Sequence, residues 1–418
     1  MRLFKAELKR IVKSRSTLII FAVSIVLSTV LALIPILMAS ADVEESGGNV
    51  KELNGVSAIK YWKEIRSVSN GEVTPEKLKS ALKIYQECVK EYGPIDGEEF
   101  PKNIYLEKIS PNMGLYMLIS DAYFKCYRGG QGGSSELIKL ENIDLNELDH
   151  FYETCAKGVD GFCVMENMSE STRKKAVKQY TKVDTPFVLN NGYGMEAPDY
   201  LGMAIFILVI LGVILVAGTF SDGYETGSDQ ILRCTKLGRK QLALSRILST
   251  TMVCSAIFLA STTIHVIISD LCYGMETVES SVQTLSNTGA LINVNIFELQ
   301  IALVTGGLLT LIAVCGMTFF ISSRCEHTSV TLSSSLILTL APTFLFTAFG
   351  NTWIQALLPA SGVGFADTGL YAGLLKYRFL EIGRHSFWNP YVTMISTLLW
   401  ILPLMVLSAR SYCKHQVK

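Results

Sequence analysis

The sequence carries no net charge, its 37 Lys and Arg being balanced by 37 Asp and Glu, so bulk electrostatics give no case for a nucleic-acid partner. It has only five histidines and no Cys-x-x-Cys pair, which argues against a zinc site, and no metal is expected. No Gly-x-x-x-x-Gly-Lys-Ser/Thr run occurs, so the backbone cradle that holds ATP phosphates must come from another polypeptide if ATP is used at all. A His-Glu-x-x-His helix is also missing, and the apolar runs contain neither paired acids nor a Ser-Lys dyad. A membrane protease would have nothing to work with.

What the sequence has is apolar length. Of 418 residues 49% are hydrophobic and 18% charged, and the two kinds are segregated. Charge-free runs cover Thr17–Ala39, Tyr200–Phe220, Ile247–Ser269, Leu299–Ser323, Thr328–Phe349 and Tyr391–Ala409. Each rises far enough, at about 1.5 Å per residue, to cross the roughly 30 Å of a bilayer core. A mid-membrane charge costs about 3 kcal/mol on insertion scales, so such runs do not arise by chance. The expected fold is an all-α polytopic membrane protein with six transmembrane helices. A large, mostly helical extracytoplasmic domain is expected between the first span (17–39) and the second (199–220).

Basic residues set the orientation. Arg2, Lys5, Lys9, Arg10, Lys13 and Arg15 precede the first run, and Arg233, Lys236, Arg239, Lys240 and Arg246 lie between the second and third. Arg324 joins the fourth to the fifth, and Arg410, Lys414 and Lys418 follow the sixth. The connection Asp270–Glu298 has no Lys or Arg, and that after the fifth run has only Lys376, Arg378 and Arg384. This bias predicts that both termini are cytoplasmic. Leu3, Phe4, Leu8, Ile11 and Val12 recur at helical spacing, which makes 1–16 an amphipathic interfacial helix lying among membrane lipids. The first run exceeds the roughly 7–15 residues of a signal core and reads as an anchor.

Residues 40–198 are long enough to bury a core of their own. Thr74-Pro75 opens a helix through Lys90, and further helices are expected at Asn112–Tyr127, Asp144–Lys157 and Ser169–Lys182. Four of the ten cysteines, Cys88, Cys126, Cys155 and Cys163, fall here, an even number that suggests one or two disulfides with Cys155 and Cys163 near enough in sequence to pair. Residues 351–390 are too apolar for free solvent and read as a re-entrant hairpin of two short helices. His265 and Asp270, at the outer end of the third span, either line a translocation path or join helices by hydrogen bonds. Pro342, in the fifth span, either opens a backbone gap or only bends the helix.

The remaining segment, 221–246, reads as a cytoplasmic coupling loop. It has Glu225 and Gly227 in a Glu-x-Gly turn, the apolar pair Ile231 and Leu232, and then Arg233 and Arg239 before Arg246 enters the third span. Taken with the six-run plan and the hairpin before the last run, this resembles the permease subunit of ATP-binding-cassette exporters of the ABC-2 type. The resemblance covers the membrane part alone; 40–198 matches nothing in the minimal pattern. It implies that the loop docks as a coupling helix onto two cytoplasmic ATPase subunits, which bind ATP and Mg, and that a second copy or a sister permease completes the path. Arg233 and Arg239 would then pair with partner carboxylates. Cargo would be a peptide (antimicrobial peptides among them), a lipid, a drug or an ion. The competing expectation is a ligand-sensing receptor or scaffold that uses the outer domain without transport.

Overall fold

The computed structural model describes residues 2–44, 50–95, 97, 99–128, 140–235, 237–285, 287–365 and 368–415. The amphipathic start forms α1 (Arg2–Val12). Ser14 then turns the chain: its amide closes on the Ile11 carbonyl, and its hydroxyl caps α2 (Arg15–Leu37) by accepting from the Thr17 amide. An antiparallel ribbon of β1 (Ser40–Glu44) and β2 (Val50–Asn54) leads to α3 (Val56–Arg66) and the short strand β3 (Gly71–Glu72). Thr74 caps α4 (Pro75–Tyr92), with proline in the first turn where no amide is required. The single turn α5 (Lys102–Ile104), then α6 (Met113–Arg128), α7 (Phe151–Met165) and α8 (Glu170–Tyr180) follow, and β4 (Val188–Leu189) returns to pair with β3. The rest is α9 (Ala197–Glu225), α10 (Ser228–Arg233), α11 (Lys240–Tyr273), α12 (Ile296–Ser322), α13 (Thr328–Phe349), α14 (Trp353–Leu357) and α15 (Gly369–Leu375). A hairpin of β5 (Phe379–Ile382) and β6 (His385–Trp388) then leads into α16 (Asn389–Lys414).

Six of these helices, α2, α9, α11, α12, α13 and α16, are long and apolar enough to cross a membrane, which makes this a multi-pass membrane protein. Several outrun the apolar stretches that predict them. The third begins at Lys240 rather than Ile247, because polar residues such as Lys, Gln and Arg are good helix formers outside the bilayer. Helices α9 and α12 are the most buried of the six and form the centre. Small residues bring the central helices together: a Cβ on Gly212 would lie 2.5 Å from the Leu311 side chain, and one on Gly307 would lie 2.5 Å from Ile205. Helix α13 is the least buried, and it presents Ile337, Phe344 and Phe349 outward.

The elements between α2 and α9 bury Leu78, Leu82, Ile109, Leu118, Phe151 and Phe187 in a core continuous with that of the long helices. Polar contacts tie the two parts together. The Tyr180 hydroxyl donates to the Thr288 carbonyl at 2.9 Å, and the Thr288 amide and hydroxyl both donate to Asp121. At the start of α8, the hydroxyls of Ser169 and Thr172 donate to Glu381 of β5, and these bonds hold its carboxyl below the usual Glu range. The hairpin in front of α16 is therefore clamped to α8.

Three expectations are corrected. The chain is mostly helical but not all-α: the described residues also form three two-stranded ribbons, which the sequence reading did not foresee. Segment 351–390 does hold two short helices, but β5 and β6 follow them, turned by Gly383 and Arg384 with Gly383 at φ 58°. The proposed cross-link of Cys155 to Cys163 does not form. Both lie on α7, where eight residues of rise separate them by about 12 Å, against the roughly 7 Å that a disulfide spans. They and Cys88 are buried free thiols, whereas the Cys126 side chain lies outside the described residues.

Burial pushes the Cys163 thiol up to about 11. Maleimide is therefore expected to label exposed Cys234 in the folded protein and to reach Cys155 and Cys163 only after denaturation. Peptide mass spectrometry of native and denatured samples reads this directly, and native labelling of Cys163 would contradict the packing of α7.

Candidate functional site

The segment between α9 and α11 is a short helix held on three sides. Helix α9 ends at Glu225, and the chain turns through Gly227 at φ 70°, a left-handed conformation that other residues adopt only with strain. No atom lies within 4 Å of a Cβ built on Gly227, so its requirement is conformational alone. Gly238, at the other end of α10, is needed for the opposite reason: a Cβ there would lie 1.7 Å from the Leu232 carbonyl oxygen.

The strongest anchor is the end of α16. Asp229 is buried and accepts from the Tyr412 hydroxyl at 2.6 Å and from Arg233 Nε. The rest of the Arg233 fork points into the last turn of α16, donating to the carbonyls of Tyr412 at 2.7 Å and His415 at 2.6 Å. The His415 carbonyl lies past the helix end and the Tyr412 carbonyl has only a long 3.4 Å bond from the His415 amide, and a cation there also suits the negative end of the helix dipole. The guanidinium lies 4.4 Å from the Tyr412 ring centre, while Tyr224 stacks on His415 at 4.2 Å. The second anchor is Glu225, whose carboxylate accepts from the Thr328 amide at 3.0 Å and so caps α13. The third is Arg246, nearly buried, which donates to the Thr219 carbonyl and lies 3.9 Å from Glu7 of α1. Glu7 in turn accepts from Arg10 at 2.9 Å.

What remains on the outside is compact. Ile231 is 75% exposed and Leu237 44%, with Gln230, Cys234, Thr235 and Arg239 around them. An open cleft of about 1000 Å³ runs from Gln230 and Arg239 to Lys414. The arrangement offers an apolar knob with a basic rim on an immobile base, a shape suited to a groove on an acidic partner.

Two sequence-based expectations change here. Arg233 is not available to a partner's carboxylate, because all of its fork is used inside the chain; Arg239 is exposed and Leu232 half-buried. Lys236 lies outside the described residues. The sequence reading also missed Asp229, Tyr412, Gly238 and Glu7. The spacing of Asp229 and Arg233 by four residues on one helix was a usable sign of pairing.

The residues singled out for a translocation path sit at helix contacts. His265 Nδ1 lies 3.1 Å from the Ser28 carbonyl and joins α11 to α2. Asp270 accepts from Gln300 of α12 at 2.7 Å, and Gln300 also donates to the Tyr193 hydroxyl. Of the two roles open to His265 and Asp270, these contacts favour hydrogen bonding between helices. Pro342 is buried in α13, which continues through it without a break. Among the described residues, no three His, Cys, Asp or Glu side chains converge as a metal would need. No protein-family model matches the chain, and no curated protein sequence matches it.

Proposed function

We propose that this chain is the membrane subunit of an exporter driven by a separate ATPase, of the ABC-2 kind. One observation carries the reading: the segment displays Ile231 of α10, and Arg239 just beyond it, to solvent, while Asp229 and Arg233 bond α10 to α16 and to Tyr224 of α9, whose last residue, Glu225, caps α13. A partner that closes against α10 would therefore displace several long helices as a body rather than flex a loop.

In this reading α1, α10 and both termini lie on the cytoplasmic side, in agreement with the basic residues of those segments, and the elements between α2 and α9 form an extracytoplasmic domain. Two ATPase subunits supply ATP and Mg chemistry. A second copy or a sister permease covers part of the apolar surface of α2, α13 and α16, and lipid covers the rest. The hairpin clamped to α8 gives the outer domain a direct hold on α16, through which cargo bound outside would act on the inner face. The cargo class stays open among peptide, lipid, drug and ion.

The test is purification of the tagged chain in mild detergent with assay of co-eluting ATP hydrolysis. The wild-type chain is expected to bring down a stoichiometric ATPase. Ile231→Asp places a charge at the centre of the contact and is expected to weaken the complex by about 30-fold or more. Because Ile231 is so exposed, thermal stability of the chain alone should not change. A wild-type chain that elutes without any ATPase would end the proposal.

A further inference from the structure

At the end of the helix bundle away from α10 there is a cavity of about 250 Å³, enclosed by the C-terminal end of α2, α3, the chain from Leu189 to Met195, the end of α11 and the start of α12. Its polar wall holds two groups with unmet needs. Arg66 Nε is buried and has no hydrogen-bond partner among the described residues, and Arg66 forms no ion pair with them. Its guanidinium rests on the Trp62 ring, 4.8 Å from the centre. The Tyr273 hydroxyl is likewise buried without a partner. Lys63, one turn earlier on α3, does not compete for the same role, since its ammonium binds Glu276 and the Tyr273 carbonyl. Burial lowers the Arg66 pKa, against a smaller opposing effect of Tyr105. A half-buried cation whose Nε has no acceptor would gain a hydrogen bond from a bound anion.

The walls are fixed in place rather than loose. The Asn191 amide group donates to the Arg66 carbonyl at 3.1 Å and to Ser69 and Asn70, which ties the end of α3 to the chain entering α9. Asn190 exchanges hydrogen bonds with Ser280, which brings in the connection after α11. Gly194 keeps space open at the hydroxyl: a Cβ there would lie 2.4 Å from Tyr273 Oη. The remainder of the wall is apolar, with Pro35, Ile59, Met117, Leu285 and Ile296. At roughly 30 Å³ per water, the space is that of about eight waters, enough for a polar headgroup. Pro35 and Ile296, at the ends of two long helices, place it at the level where headgroups lie.

We infer that this cavity is a binding site for a phosphate-bearing headgroup, with Arg66 as the bidentate anion ligand, Tyr273 as a second donor and the apolar wall facing the rest of an amphiphile. The inference stands apart from the role given to α10 and holds whether or not the chain transports anything. Arg is suited to the task because its planar fork matches two phosphate oxygens. The phosphate can arrive on a lipid or as a free ion, and the two sources separate experimentally.

The experiment uses the full chain in detergent and follows thermal unfolding and native mass spectra during titration with phosphatidylglycerol, then with inorganic phosphate. Wild type is expected to gain stability with phosphatidylglycerol and to retain it in the mass spectrum. Arg66→Gln should bind about tenfold more weakly or worse, and Tyr273→Phe should fall between. Arg384→Gln, an exposed basic residue on the β5–β6 turn, should bind as wild type does. A response to inorganic phosphate that is lost in Arg66→Gln would keep the site and identify a soluble ligand. Equal binding by wild type and Arg66→Gln would overturn the inference, as would no response to either ligand. Should Arg66→Gln fail to fold, Tyr273→Phe decides: unchanged affinity overturns the site, and weakened affinity supports it.

Discussion

Replacement of Arg233 by Ala is expected to destabilise the protein by about 3–5 kcal/mol, the cost of leaving one member of a buried ion pair alone. Asp229 would keep only the Tyr412 hydroxyl, and the carbonyls of Tyr412 and His415 would lose the Arg233 donors. With only the Tyr412–Asp229 bond left between them, the end of α16 should loosen from α10. Thermal unfolding in detergent measures the first effect, and accessibility of Cys413 to maleimide measures the second. Arg233→Lys keeps the charge but not the fork, so it should lie between the wild type and the Ala variant. A wild-type melting profile for Arg233→Ala would mean that the three bonds do not operate in solution.

The second large effect is expected at Gly238. Its substitution by Ala sets a methyl 1.7 Å from a backbone oxygen, and backbone cannot step aside as a side chain can. The turn between α10 and α11 must open, at a cost of about 1–3 kcal/mol or more. The expected signature is selective: the membrane helices persist, but hydrogen exchange in 228–238 rises sharply and the proposed ATPase no longer co-elutes. Gly227→Ala provides the contrast, since nothing crowds that position and only the left-handed backbone is penalised, at about 1 kcal/mol. Equal effects at the two glycines would show that the turn is looser than its geometry implies.

The spans were legible because the bilayer imposes a large penalty per charge, and a penalty of that size leaves its mark on sequence without help from tertiary structure. Their ends were not, since a helix does not stop where hydrophobicity does; Lys240 continues α11 well below Ile247. The position of the α10 segment was likewise readable from its basic residues and from Glu225 and Gly227. Its anchoring was not. Arg233 and Arg239 look alike in sequence, yet one is locked onto Tyr412 and His415 while the other faces solvent, a difference decided by residues almost two hundred positions away. The cavity at Arg66 escaped notice for the same reason, since its walls come from six separate stretches of chain, none of which carries a local motif.

The clasp between α10 and α16 also has a consequence for how the molecule is made. A chain synthesised from its N-terminus exposes Asp229 and Arg233 long before Tyr412 and His415 exist. Until α16 has been made, α10 has only α9 to lie against, and Arg233 lacks its two carbonyl partners. The surface that carries Ile231 is therefore completed only after α16 has been made. A chain truncated before Tyr412 would keep all six apolar runs and still leave α10 without its clasp.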